Sequence, residues 1–260
     1  MRIEFITEED FYVLPFFEEF FRRYSSEFEV VQVSCCRLMG RRGRRRLIGD
    51  LILLYGTTGF ARLAARHAMS LVMSRFPRDR NAPRYHSIRQ LCRSYQVACA
   101  RTDNPNSDQF VRDVKERGAD LLISVACPYI LKSALLEAPP KGCINLHNAP
   151  LPRYKGMMPT FWQMFHGEKS LGLTIHYMTE RIDNGGILFQ DEMEINLSDT
   201  LDALIRQSKE RAAHCLGRVL RGLETGAVEA VPMPAEKGSY FTFPDREKIR
   251  EFHRRGLRAI

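Results

Sequence analysis

A chain of 260 residues, 44% of them hydrophobic, is long and apolar enough to bury a large core in one α/β domain, which excludes a disordered or fibrous polypeptide. No uninterrupted apolar run approaches the roughly 18 residues of a membrane span, since the greasiest stretch, Leu47 to Leu54, contains Asp50. The formal charge of +8 draws on six arginines between Arg37 and Arg46, so the excess is local and does not by itself select an anionic partner.

The N-terminal segment places Glu4, Glu8 and Glu9 where a signal peptide would need its apolar stretch, so a cytoplasmic location is expected. Arg2 to Ile6 reads as a strand, Asp10 to Tyr24 carries apolar residues at helical spacing, and Val30 to Cys35 returns to strand composition. This βαβ unit recurs as Val97 to Ala100, a helix from about Asp108 to Arg117, Leu121 to Ala126 and Gly142 to Leu146. The alternation predicts an α/β fold, a three-layer, Rossmann-like, mostly parallel sheet with helices on both faces. Right-handed crossovers then put the chemistry at the carboxyl ends of the strands. The seven cysteines form no CxxC pair and read as reduced core thiols.

Between the second and third strands lies an insertion, about 37–93, with the arginine cluster, a helical pattern through Leu47 to Met73 and a loop around Pro77 to Pro83. It reads first as amphipathic helices on the domain edge with solvated arginines, and second as a surface for an acidic substrate, a membrane or a protein. Nucleic acid is not expected, because no aromatics interleave the arginines and no recognition motif accompanies them. Gly56-Thr57-Thr58-Gly59 lacks the lysine and spacing of a phosphate loop. After residue 190 come a helix, about Asp199 to Leu223, and a polar tail with Tyr240 to Pro244, which divides the chain into a domain over 1–232 and a C-terminal extension over 233–260.

The chemistry concentrates in two segments. Cys143 to Gly156 puts Asn145 and His147 at alternate positions on the end of an apolar strand, so both side chains face one way at the lip of the sheet before a proline-rich turn stops the ladder. Alone, such a pair also suits turn hydrogen bonding. The second segment, Leu171 to Gln190, has two strand-like halves joined by a polar loop in which Asp183 precedes Gly185 and Gly186. His176 falls on the Thr174 side of the first half and reads as structural or as the pocket edge, while Phe161 and Trp162 read as helix core.

Together these segments resemble the formyltransferase family that uses 10-formyltetrahydrofolate: Asn145-x-His147, then Leu151-Pro152 and Gly156, then Asp183-x-Gly185-x-Ile187 stand in register with its signature over about residues 95–225. The variant Ala149-Pro150-Leu151-Pro152 is most similar to enzymes that formylate amino sugars on nucleotide carriers, and the further C-terminal domain of the tRNA enzymes has no counterpart here. The resemblance implies catalytic Asn145, His147 and Asp183, with Asn145 polarising the formyl oxygen, His147 stabilising the intermediate, and Asp183 holding His147 protonated or relaying a proton. It also implies a folate pocket, recognised largely by main chain, along Pro128, Tyr129, Ile130 and Leu131 and along Thr179 to Asp183; Tyr129 and Leu131 are the side chains expected to contribute, with plain helix-start packing as the other reading. The implied substrates are 10-formyltetrahydrofolate and a small-molecule amine, a nucleotide-linked amino sugar first among them; a homodimer is compatible, and no metal is called for. A 10-formyltetrahydrofolate hydrolase, a methionyl-tRNA formyltransferase-like activity and a folate-binding module without turnover are the alternatives.

Overall fold

The computed structural model describes residues 1–37, 44–234 and 238–260, so Arg41 and Arg42 of the arginine cluster expected between Arg37 and Arg46 fall outside the described residues. In chain order the strands are β1 (Arg2–Glu8), β2 (Glu29–Cys36), β3 (Ala98–Thr102), β4 (Leu121–Val125), β5 (Cys143–His147), β6 (Lys155–Gly156), β7 (Ser170–Tyr177), β8 (Ile187–Glu194) and β9 (Tyr240–Phe241). The helices are α1 (Leu14–Tyr24), α2 (Arg44–Met73), α3 (Ile88–Ser94), α4 (Asp108–Arg117), α5 (Ser133–Leu136), α6 (Pro159–Phe165), α7 (Leu201–Thr225) and α8 (Arg246–Arg254).

Among the described residues, seven strands form one sheet in the order β3-β2-β1-β4-β5-β7-β8. The five strands from β3 to β5 are mutually parallel, and β7 and β8 close that edge antiparallel. The strands are apolar on both sides because helices cover both. Phe5, Ile123 and Ile144 point into a core with α1, α3 and α7, whereas their neighbours Ile6, Leu122 and Cys143 point into a core with α4 and Leu135 of α5. Local signals set the helix ends: Ser107 caps α4 through Phe110 N–H and left-handed Gly118 ends it, and Thr200 and Gly226 do the same for α7.

Helix α1 starts at Leu14 rather than at the expected Asp10, because Asp10 turns the chain, its carboxylate accepting from Tyr12 N–H at 2.9 Å and its carbonyl from Val13 N–H at 3.1 Å. The insertion forms α2 and α3 as expected, and Gly56-Thr57-Thr58-Gly59 lies within α2. Leu47–Met73, with a mean hydropathy of 1.2 in its best window, is long and apolar enough to cross a membrane by length and composition alone, although Asp50 interrupts its apolar run. Gly56, with φ 68° and ψ 168°, breaks this segment into two helices. Leu54, Tyr55 and Leu63 of α2 are buried in a third core.

That third core also takes Phe161, Trp162 and Phe165 of α6 and Ile249 and Phe252 of α8, with Phe252 stacked on Phe161 at 4.8 Å. Residues 238–260 therefore do more than trail from the domain: α8 fills a core, and β9 pairs in parallel with β6. All seven cysteines are free thiols, five of them buried.

Candidate active site

β5 stands beside β4 at the carboxyl edge of the parallel strands. Alternation puts Cys143, Asn145 and His147 on one face, with Cys143 sunk in the core and the other two rising to the lip. The antiparallel register of β7 sets His176 opposite Asn145 and Thr174 opposite His147. Thr174 then secures the turn after β5, donating to Ala149 O at 2.6 Å and accepting from Leu151 N–H at 3.1 Å.

Asp183 lies in the loop between β7 and β8 with a left-handed φ of 47°, a conformation that aspartate tolerates. Two glycines allow the approach. A Cβ on Gly185 would stand 1.9 Å from Tyr177 O, and one on Gly156, at φ 93°, would stand 2.3 Å from Phe241 O. Gly156 N–H donates to Asp183 Oδ2 at 2.9 Å. The structure thus brings Asn145, His147 and Asp183 together: His147 Nδ1 is 3.7 Å from Asp183 Oδ2, His176 Nε2 is 3.6 Å from Asp183 Oδ1, and Asn145 Nδ2 is 3.3 Å from His176 Nε2.

The far side of each imidazole is committed to a carbonyl. His147 Nε2–H donates to Tyr154 O at 2.8 Å and His176 Nδ1–H donates to Tyr177 O at 2.7 Å, so in the neutral rings the nitrogens facing Asp183 carry lone pairs. Asn145 then donates one N–H to His176 Nε2, and its second N–H remains for another acceptor. Burial pushes His147 below the ordinary histidine value, and the Asp183 charge only partly opposes this. Burial also works against the ionised Asp183, yet the hydrogen bond and charge that His176 and His147 offer when protonated, together with the Gly156 N–H, outweigh it and hold that carboxyl at about 2. Asp183 is thus favoured as the carboxylate while the surroundings disfavour a protonated His147, which weighs on the first of the two roles expected of Asp183, holding His147 protonated, more than on the second, relaying a proton. The physical reason is the low polarity around a ring only 7% exposed.

The expected folate loops are placed as follows. Pro128 and Tyr129 are half-buried, Ile130 is exposed, and Tyr129 donates to Asp103 O at 2.7 Å. Leu131 is fully buried in the α4 core, so its side chain faces inward. Thr179 is exposed and bonds the Arg181 main chain. Ser133 N–H and Oγ–H both donate to Glu180 Oε1, at 2.9 and 2.7 Å, tying one loop to the other.

Several contributors lay outside the sequence reading. His176 sits between Asn145 and Asp183 instead of at the edge. Ser239 accepts Tyr154 N–H at 2.8 Å, and Phe241 O accepts Met157 N–H at 2.8 Å, so the C-terminal segment backs the turn that holds both His147 and Asp183. On α7, Ser208 accepts from Asn148 Nδ2 at 2.9 Å. The next residue, Lys209, is buried; burial brings its pKa down to about 8 against the attraction of Glu8 and Asp10, and its charge disfavours a protonated His147.

The family model described as formyl transferase matches residues 68–220, more than half of the chain. The chain belongs to the formyl transferase family. A methionyl-tRNA formyltransferase of Halothermothrix orenii is 31% identical over 174 residues, covering 65% of this chain and 55% of the relative; the chain thus spans about half the length of the curated relatives it matches. Two solved structures share the fold. A sugar N-formyltransferase from Shewanella sp FDAARGOS_354 superposes with a TM-score of 0.57 at 18% identity, over 97% of this chain and 87% of that one. The formyltransferase PseJ from Anoxybacillus kamchatkensis, in complex with UDP-4,6-dideoxy-4-formamido-L-AltNAc and tetrahydrofolate, superposes with a TM-score of 0.50 at 18% identity, over 95% of this chain and 89% of that one. The family and the mostly parallel sheet with helices on both faces are those expected from the motifs.

Proposed function

We propose that this chain transfers a formyl group from 10-formyltetrahydrofolate to the primary amine of a small acceptor, with a nucleotide-linked amino sugar as the favoured class. The observation that carries the reading is the Asp183 carboxyl between two imidazole nitrogens at 3.6 and 3.7 Å, with the Asn145 amide alongside. Attack of an amine on a formamide-like carbon develops charge on oxygen and releases a proton, so the reaction needs a donor and a base. The second N–H of Asn145 supplies the donor. A carboxyl held at about 2 is a weak base and a good counter-ion, whereas neutral His147 offers Nδ1 as proton acceptor. The resulting imidazolium keeps its Nε2–H on Tyr154 O and gains Asp183 as its partner.

The folate is assigned to the cleft between residues 128–131 and 179–183, supported by the Ser133–Glu180 tie that orders both loops. The sugar acceptor is supported by the Ala149-Pro150-Leu151-Pro152 turn and by solved relatives of the same fold named for sugar substrates. The curated relatives named for methionyl-tRNA favour a second reading with that acceptor. Steady-state release of tetrahydrofolate, measured with no amine, with an amino-sugar nucleotide and with methionyl-tRNA, tests these assignments. Release only with an acceptor supports transfer and names its class, release without one shows hydrolysis, and none at all with intact folate binding shows a binding module.

A further inference from the structure

Between the first turns of α1, the second half of α2, residues 84–86 and the first turns of α7 lies a cavity of about 180 Å3. At about 30 Å3 per water, it has room for several waters or for one compact polyatomic anion. Its polar lining is Arg66, Arg84, Arg206, His86, Ser70 and Glu18.

Three arginines thus line one cavity, and the acidic groups that act on them are Glu18, Asp202 and Asp10. Glu18 is turned to Tyr85 N–H at 2.6 Å, and Asp202 holds only Nε of Arg206, at 2.9 Å. Arg206 Nη2 is buried and has no hydrogen-bond partner among the described residues. Neither Arg66 nor Arg84 has a carboxylate within 4.0 Å among the described residues. Burial disfavours a charged Arg66, Asp202 and Asp10 oppose this, and the nearby Arg84 charge adds to it, so an anion in the cavity would relieve the repulsion between the two arginines. Guanidiniums lining one cavity suit a ligand with several oxygens on one centre, because each presents a planar fork of donors.

The cavity also lies close to the reacting groups. Arg206 and Lys209 are three residues apart on α7 and so are surface neighbours on that helix. Lys209 is near enough to act on His147, and Ser208 between them holds Asn148. An anion at Arg206 is therefore about one helical turn from Lys209, whose charge acts on His147.

We propose that this cavity, built on one side by the insertion helix α2, binds a phosphate or diphosphate group of the acceptor. The ligand's identity as acceptor rests on the formyl-transfer reading, but binding itself does not, so the test omits folate. The full chain is titrated calorimetrically with UDP and with inorganic pyrophosphate, as wild type, R66A, R84A and the charge-preserving R84K. Both ligands are expected to bind, more weakly as salt is raised, with R66A and R84A each weakening binding about 10- to 100-fold and R84K falling between. Unchanged unfolding transitions and unchanged affinity for 5-formyltetrahydrofolate would show the variants to be folded. Equal affinities across the variants, or no binding of either ligand at millimolar concentration, would overturn the proposal. Pyrophosphate binding without UDP binding would overturn the acceptor assignment and leave a free-phosphate site. Failure to transfer formyl groups in the separate turnover assay would leave the binding result standing.

Discussion

Replacing Asp183 by asparagine removes one charge and little else. Asparagine is nearly isosteric, tolerates the left-handed φ of 47°, and can still accept the Gly156 N–H through its Oδ1. What disappears is the attraction between the carboxylate and an imidazolium forming at His147, 3.7 Å away. At that distance, with an effective dielectric constant of about 20, the interaction is worth about 4 kcal/mol. As about 1.4 kcal/mol corresponds to tenfold in rate, the loss in kcat is expected at roughly a hundred- to a thousandfold. The assay is tetrahydrofolate release in the presence of acceptor, followed across pH. The acid limb should move to lower pH, because Asp183 is what raises the burial-lowered His147, and the KM for folate should change less than about threefold. A D183N protein that keeps kcat within about fivefold of wild type, with the same pH profile, would refute the counter-ion role.

Asn145→Ala removes the donor proposed for the formyl oxygen and should lower kcat by about a hundred- to a thousandfold with folate affinity unchanged; a defect in KM alone would speak against that role. Glu8 has its pKa raised from 4.5 to about 7 by burial first and by Asp10 second, against Lys209. Its folded pKa lies above the unfolded one, so the stability it contributes is present below about pH 4.5 and lost as pH rises towards 7, by roughly 3 kcal/mol at most. Urea titrations should show a flatter pH dependence over that window in Glu8→Gln, and an unaltered slope would contradict the burial argument. Phe252→Ala empties a fully buried site stacked on Phe161 and should cost about 3–5 kcal/mol in denaturant unfolding. A loss below about 1 kcal/mol would mean that α8 is not part of the core.

What could be read from the sequence was what is locally encoded. Helix α4 runs over the expected Asp108–Arg117 because its Ser107 cap and Gly118 stop are adjacent signals. β4 and β5 stand out as short apolar runs bounded by turns, and Asn145, His147 and Asp183 as a spaced motif. The position of His176 was not legible in the same way, since its contact with Asn145, 31 residues away, depends on the register of β7 against β5. β9 is two residues long and shows no periodicity, so its pairing with β6 behind Gly156 follows only from the tertiary fold. Lys209, Glu8 and Asp10 meet across α7 and the end of β1, where no periodicity in the sequence marks them as partners.

The central claim is that the one-carbon unit passes to an amine under the control of Asn145, His147 and Asp183. It is tested most directly by following an isotopically labelled formyl carbon of 10-formyltetrahydrofolate by NMR, with the wild-type chain and an amino-sugar nucleotide, and then with the N145A and D183N variants. The account predicts that the label appears as a formamide on the acceptor with the wild-type protein, and at least about a hundredfold more slowly with either variant. Label appearing as free formate, or as formamide at equal rates in all three proteins, would contradict it.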